Sequence, residues 1–158
     1  MKKTIIAFII LINILNVKAQ ITSEKLVGTW QLNNSQVASA LHENYRFFQD
    51  GSFVYYFDSY NDSKRIISIS GTYKILKNVI EFKILSRKEI VGGRIVKASE
   101  GFQNGWVLVD GIVKDVEQPE SEVETCSIST SDSTDNTQLC IKINNDKYFR
   151  VSKDPKFE

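Results

Sequence analysis

Beyond residue 25 the apolar and polar positions alternate with a period of two almost everywhere. That is the repeat of half-buried strands, not of helices. In "LVGTWQL", Leu26, Gly28, Trp30 and Leu32 share one face. "NYRFFQ" and "SFVYYFD" flank Asp50-Gly51, a hairpin signal because both residues tolerate positive φ. Residues 64–76 form one long alternating run, in which Ile67, Ile69, Gly71, Tyr73 and Ile75 keep a single face. A glycine inside such a run marks a bend in the sheet. "VIEFKIL" follows Lys77-Asn78, and Gly92-Gly93 is either a tight turn or a bulge within a longer strand. Asp110-Gly111 reads as another hairpin turn, and residues 34–42 are the only stretch suited to a helical turn.

Nine to eleven strands joined mostly by short turns are expected. Sequential strands with short connections pair as neighbours, and a long sheet closes to remove its edges. The expected fold is all-β: an antiparallel up-and-down barrel of about 8–10 strands, with a short helical turn after the first. A two-sheet sandwich is the alternative.

The N-terminus reads as an address. Lys2 and Lys3 precede an apolar run from Ile5 to Leu15, about 11 residues where a spanning helix needs about 20. Val17-Lys18-Ala19 supplies small residues before Gln20, the layout of a signal peptide. The expected division is a leader over 1–19 and a barrel domain over 20–158, in a protein exported to the periplasm or beyond the cell. Setting Lys2, Lys3 and Lys18 aside from the chain's 20 basic residues leaves 17 against 19 acids. That balance gives no electrostatic reason to bind nucleic acid or an anionic membrane.

Chemistry is sparse. His42 is the single histidine, so a nucleophile–base pair or a zinc site lacks material. Residues 115–124 hold five acids and no base, which reads as a solvated acidic connector, with weak calcium binding as the other possibility. No enzyme activity, metal or cofactor is expected. The two cysteines are Cys126, on the face of Glu122 and Glu124, and Cys140, on the face of Gln138 and Lys142. Both read as outward. A hairpin placing them opposite one another would turn at Ser133, so a disulfide is expected, with two free thiols as the alternative. The bridge would close a loop of about 15 residues and add roughly 3 kcal/mol.

"GTW", "DGSF", "GTYKI" and "IEF" occur in order at Gly28-Thr29-Trp30, Asp50–Phe53, Gly71–Ile75 and Ile80–Phe82. This cadence resembles the lipocalins and wider calycins, and in particular small exported lipocalin-like proteins of the Bacteroidota type. It covers residues 24–85 well. The resemblance implies that Gly28 and Trp30 sit on the first strand at the closed end, and that Arg150 packs across the Trp30 ring. The later Thr-Asp-Tyr signature and the long C-terminal helix of lipocalins proper are missing from this chain.

Two functions follow. In the first, the barrel holds a small hydrophobic or amphipathic ligand in a cavity above Trp30. Trp30, Phe47, Tyr55, Phe57, Tyr73, Phe82 and Trp106 are then ligand-binding candidates, because pockets are concave and mostly apolar. In the second, the same rings fill the barrel. The protein is then an inhibitor or accessory subunit, contacting a partner through the outward Val54 and Tyr56 or through the acidic stretch.

Overall fold

The structure is a computed structural model that describes residues 21–36, 42–58, 61–98, 105–131 and 139–157. The leader expected over 1–19 lies outside the described residues. A one-turn helix, α1 (Ser23–Leu26), opens the described chain, capped by Thr22. The strands are β1 (Gly28–Leu32), β2 (Asn44–Phe47), β3 (Ser52–Tyr56), β4 (Ile66–Leu76), β5 (Val79–Lys97), β6 (Trp106–Ser131), β7 (Cys140–Ile143) and β8 (Asp146–Ser152). Each pairs antiparallel with the next and β8 returns to β1, so the sheet is a closed barrel in sequence order. The helical turn expected over 34–42 falls partly outside the described residues. Residues 34–36 form an irregular bend, and the described helix precedes β1 instead of following it.

Local chemistry explains the closed end. At Gly28 (φ +132) a Cβ would stand 2.4 Å from the Ser152 carbonyl oxygen. The glycine therefore makes room for β8 to cross β1. Trp30 points inward beside it, 1% exposed, and its indole N–H donates to the Leu26 carbonyl at 2.6 Å. That bond ties the buried ring to α1. The β2–β3 turn is the Asp50-Gly51 hairpin, in which the Asp50 carboxylate accepts from the Ser52 N–H at 2.9 Å. Midway along β4, Gly71 lies where the register with β5 shifts. A Cβ there would meet the Lys83 carbonyl oxygen at 1.9 Å, so the close approach of the two strands demands glycine.

The interior is a stack of rings. Tyr45 lies parallel to Phe47 and to Phe82, with centroids 5.3 Å away in both cases. Phe53 meets Phe82 at 4.7 Å. Ile80, Ile84, Ile128, Ile141, Ile143 and Tyr148 pack around them. The alternation read from the sequence puts these residues on one face, and burial of that face drives closure.

Among the described residues the barrel has eight strands, fewer than expected, because six apolar stretches merge into two strands. β5 and β6 run together past the barrel as a two-stranded ribbon, pairing as far as Lys97 and Trp106. Gly92, Gly93 and Asp110 all have positive φ, at 71°, 70° and 60°, and Gly92 faces Gly111 across the ribbon. Asp110-Gly111 is therefore not the hairpin turn the sequence suggests. The two pairs lie opposite one another and bend the ribbon at a corner. Beyond that corner Leu108 donates its N–H to the Asp62 carbonyl at 2.9 Å, so the distal arm turns back onto the β3–β4 loop. Where ribbon meets barrel, the register jumps between Ile84 and Ser86, and residues 118–121 bulge out opposite Leu85. The expected acidic connector is thus part of strand β6.

The cysteines depart from expectation as well. Both are free thiols and both are buried. Cys140 faces Ser131, and Ile128 faces Ile143, so the β6–β7 register does not bring Cys126 opposite Cys140. Cys126 pairs with Ile80 and joins the core. Cys140 adjoins the inward Ile141 along β7 and takes the other face of the sheet. The two thiols point to opposite sides of one wall.

Candidate functional site

The lower barrel offers little room among the described residues, since Trp30, Phe47 and Phe53 are packed to near-zero exposure. Space opens at the other end, where β1–β2 and β3–β4 are connected. Two neighbouring clefts lie there. One, of about 360 Å³, is lined by Glu43, Phe57, Asp58, Asn61, Lys64, Arg65 and Ile66. The other, of about 240 Å³, is lined by Leu32, Asn33, Asn34, His42, Glu43 and Asp58. Glu43 and Asp58 belong to both and form the ridge between them.

The strands place these groups. Glu43 immediately precedes β2 and Asp58 follows β3 by two residues. In an up-and-down barrel those two junctions sit at the same end. The Glu43 carboxylate accepts from the Tyr55 hydroxyl at 2.7 Å. Tyr55 is wedged between Tyr45, 4.5 Å away, and Phe57, 5.1 Å away. Tyr148 stands edge-on to Tyr45 at 5.2 Å. The mouth thus has a base of rings under a rim of charges.

Burial pushes the Tyr55 phenol far above its ordinary range, and the bond to Glu43 raises it further. Tyr45 and Tyr148 are raised for the same first reason, with carboxylates adding to it: Glu124 and Asp146 act on Tyr45, and Asp146 and Glu43 on Tyr148. Lys64 is lowered by desolvation, a shift that Asp58, Asp62 and Glu43 oppose. Its ammonium donates to the Phe57 carbonyl at 3.0 Å and also to that of Asp58. The Arg65 guanidinium donates to the Gly92 carbonyl at 2.7 Å and to that of Ile90 at 3.4 Å. His42 Nδ1 lies 3.9 Å from an Asp58 carboxylate oxygen.

The sequence-derived ring residues separate into three places. Trp30, Phe47, Tyr73 and Phe82 are buried in the packed barrel. Tyr55 and Phe57 reach the mouth. Trp106 stands on the distal arm of the ribbon, 60% exposed, and does not line the barrel. The Arg150 guanidinium lies 5.6 Å from the centre of the Trp30 ring, because Trp30 and Arg150 face one another across β1 and β8. Desolvation there lowers its pKa. Tyr56 is on the outer face and receives the Arg46 guanidinium at 4.5 Å. In β6, Glu124 faces Phe82 and Glu122 faces Ile84, so the two acids share the phase of the buried Cys126, contrary to the outward reading of that face, while both stay exposed. Arg87 pairs with Glu122 at 3.0 Å and Lys88 lies 3.9 Å from Asp115, so these acids are spread along a strand. Among the described residues no group of three His, Cys, Asp or Glu could hold a metal ion.

Sequence reasoning missed Glu43, Asp58, Lys64 and Arg65. Their signal was position: each flanks a strand end on the same side of a meander, which is visible only once the strand ends are known.

No curated protein and no solved structure matches the chain. Residues 26–101 match the family model described as a lipocalin-like domain. That stretch includes β1 to β5, the part of the wall that carries the Gly28–Trp30 closed end and the mouth. The closed antiparallel meander and the family match agree, and the chain carries a lipocalin-like domain.

Proposed function

We propose that this protein is an exported binding protein that holds a small hydrophobic or amphipathic molecule at the open end of its barrel. The supporting observation is the pair of clefts sharing Glu43 and Asp58 above Tyr55 and Phe57. An apolar base with a few converging polar groups is what small-molecule sites need. The ligand sits higher than the sequence suggested, since Trp30, Phe47 and Phe82 are committed to packing. The groups at the mouth offer binding and orientation, not nucleophilic chemistry. Thermal denaturation against a panel of neutral, anionic and cationic amphiphiles tests this. A ligand present at a hundred times its Kd stabilises by about 2.7 kcal/mol. A panel in which no compound raises the melting temperature overturns the reading.

A second reading, an interaction module, is favoured by the ribbon, where Trp106 and Ile112 are 60% and 65% exposed. The two lie on either side of the ribbon's corner, and exposed large apolar groups of this kind are the material of contact surfaces. Its test is capture of a partner by the native protein and loss of that partner with Trp106→Ser and Ile112→Ser.

A further inference from the structure

Tyr45 reaches across the barrel. Its strand, β2, is flanked in the wall by β1 and β3. Yet its ring stacks on Phe82 of β5, with centroids 5.3 Å apart and planes 10° from parallel. It also meets Tyr148 of β8 at 5.2 Å and Tyr55 of β3 at 4.5 Å. Side chains from four strands therefore converge on one layer. Below it, towards the Asp50-Gly51 turn, Phe47 faces Phe53, and these two rings and Phe82 are 2% exposed or less. Above it lie Phe57 and Glu43 of the larger cleft, and the Glu43 carboxylate accepts from the Tyr55 hydroxyl. Rings packed at interior density leave no gap for a methylene chain. The way from the cleft to the barrel axis is shut at Tyr45 and Tyr55.

We propose that Tyr45 sets the depth of the ligand site, so that the protein takes a compact body of one or two rings and not an extended acyl chain. The larger cleft has about 360 Å³. An apolar cavity of about 150 Å³ takes one benzene ring, so the cleft has room for about two rings, or a chain of about ten carbons. This rests on the reading of the mouth as a small-ligand site and names the ligand's size and shape.

Calorimetric titration of the native protein with straight-chain primary alkanols, from butanol to dodecanol, reads the depth. The series is neutral, so chain length alone varies. Affinity is expected to rise about fourfold per methylene while each added group is enclosed, and to level off by about ten carbons. Naphthol, with two fused rings, is expected to match the longest chain that fits. Tyr45→Ala is expected to let the rise continue through dodecanol, because it opens the space above Phe47 and Phe82. Tyr45→Leu serves if the alanine variant does not fold. Ile128→Ala makes its hole beside the β4–β5 turn instead, and is expected to leave the levelling where it was. A wild-type series that climbs unbroken to dodecanol overturns the depth limit while the small-ligand reading stands. So does a levelling that stays put in the Tyr45 variant, or one that moves as far with Ile128→Ala. Binding by none of the alkanols or naphthol, together with the silent amphiphile panel, removes both.

Discussion

The barrel and the ribbon are made from the same two strands, yet they obey different rules. Within the barrel, β5 residues Ile80, Phe82 and Ile84 are at most 5% exposed. Past the bulge, Val91 and Ile95 of the same strand are 40% and 49% exposed, and Ile112 and Val113 of β6 are 65% and 55%. Both segments are rich in β-branched and aliphatic residues, so strand propensity does not distinguish them. What differs is covering. In the barrel one face of each strand meets the ring stack. In the ribbon the contacts from the β3–β4 loop that the described residues show are hydrogen bonds to its backbone, its large apolar side chains stay exposed, and cross-strand ion pairs such as Arg94–Asp110 at 3.2 Å decorate it. Strand formation and burial are therefore separable, and stability should reside almost wholly in the barrel.

Substitutions can break that contrast. Trp30→Ala is expected to cost about 3–5 kcal/mol, since it empties the sealed end and frees the Leu26 carbonyl. Chemical denaturation measures it, and a loss below 1 kcal/mol would mean that the indole is not sealing anything. Gly71→Ala should cost about 3 kcal/mol, because the added carbon meets the Lys83 backbone and β4 must part from β5. A neutral outcome would show that the two strands are further apart than described.

Alkaline pH sharpens the comparison. Burial, then Glu124, pushes the Cys126 thiol from its ordinary 9.0 up to about 11. The folded value lies above the unfolded one, so this contribution is intact below pH 9.0 and is lost as pH rises through about 11. Cys126→Ala should flatten the fall in stability over that window, where wild-type protein loses it. An identical pH profile for both proteins would count against a thiol inside the core.

The ribbon should respond little. Gly93→Ala strains a position at φ +70, with Val109 O 2.6 Å from the new carbon. It should disturb the corner and expose ribbon amides to hydrogen exchange, while the global unfolding free energy moves by only about 0.5 kcal/mol. Smallest of all is Trp106→Phe, expected within about 0.5 kcal/mol of wild type. It should remove the long-wavelength, acrylamide-quenchable part of the fluorescence and leave the shielded Trp30 emission. A large stability loss from either would mean that the arm is structurally coupled to the core.

The same division explains what the sequence could reveal. Gly28, Trp30, Asp50-Gly51 and Gly71 were legible because each reports on its immediate backbone: a crossing strand, a two-residue turn, a close approach. The inward phase of β1 to β4 was legible because one face there is consistently apolar. Gly92-Gly93 and Asp110-Gly111 were ambiguous, since positive φ suits a reversal and a bend equally, and only the pairing of one with the other decides. The cysteine pairing failed on register, which is set by contacts between β6 and β7 that no local pattern specifies. The face of Cys126 was misread because Glu122 and Glu124 share it, and acids signal solvent even where the wall merely opens. The mouth was invisible because its charges come from the ends of different strands.

Barrel closure joins residues 28–32 to residues 148–152, nearly the full span of the domain. Until β8 arrives, the first seven strands are an open sheet with β1 bare along one side. The ring stack, which needs Tyr148 against Tyr45, is then incomplete. Such long-range pairing makes for slow folding, on the millisecond-to-second scale. The nascent chain therefore passes through an unfinished, sticky stage that ends only when its last strand docks.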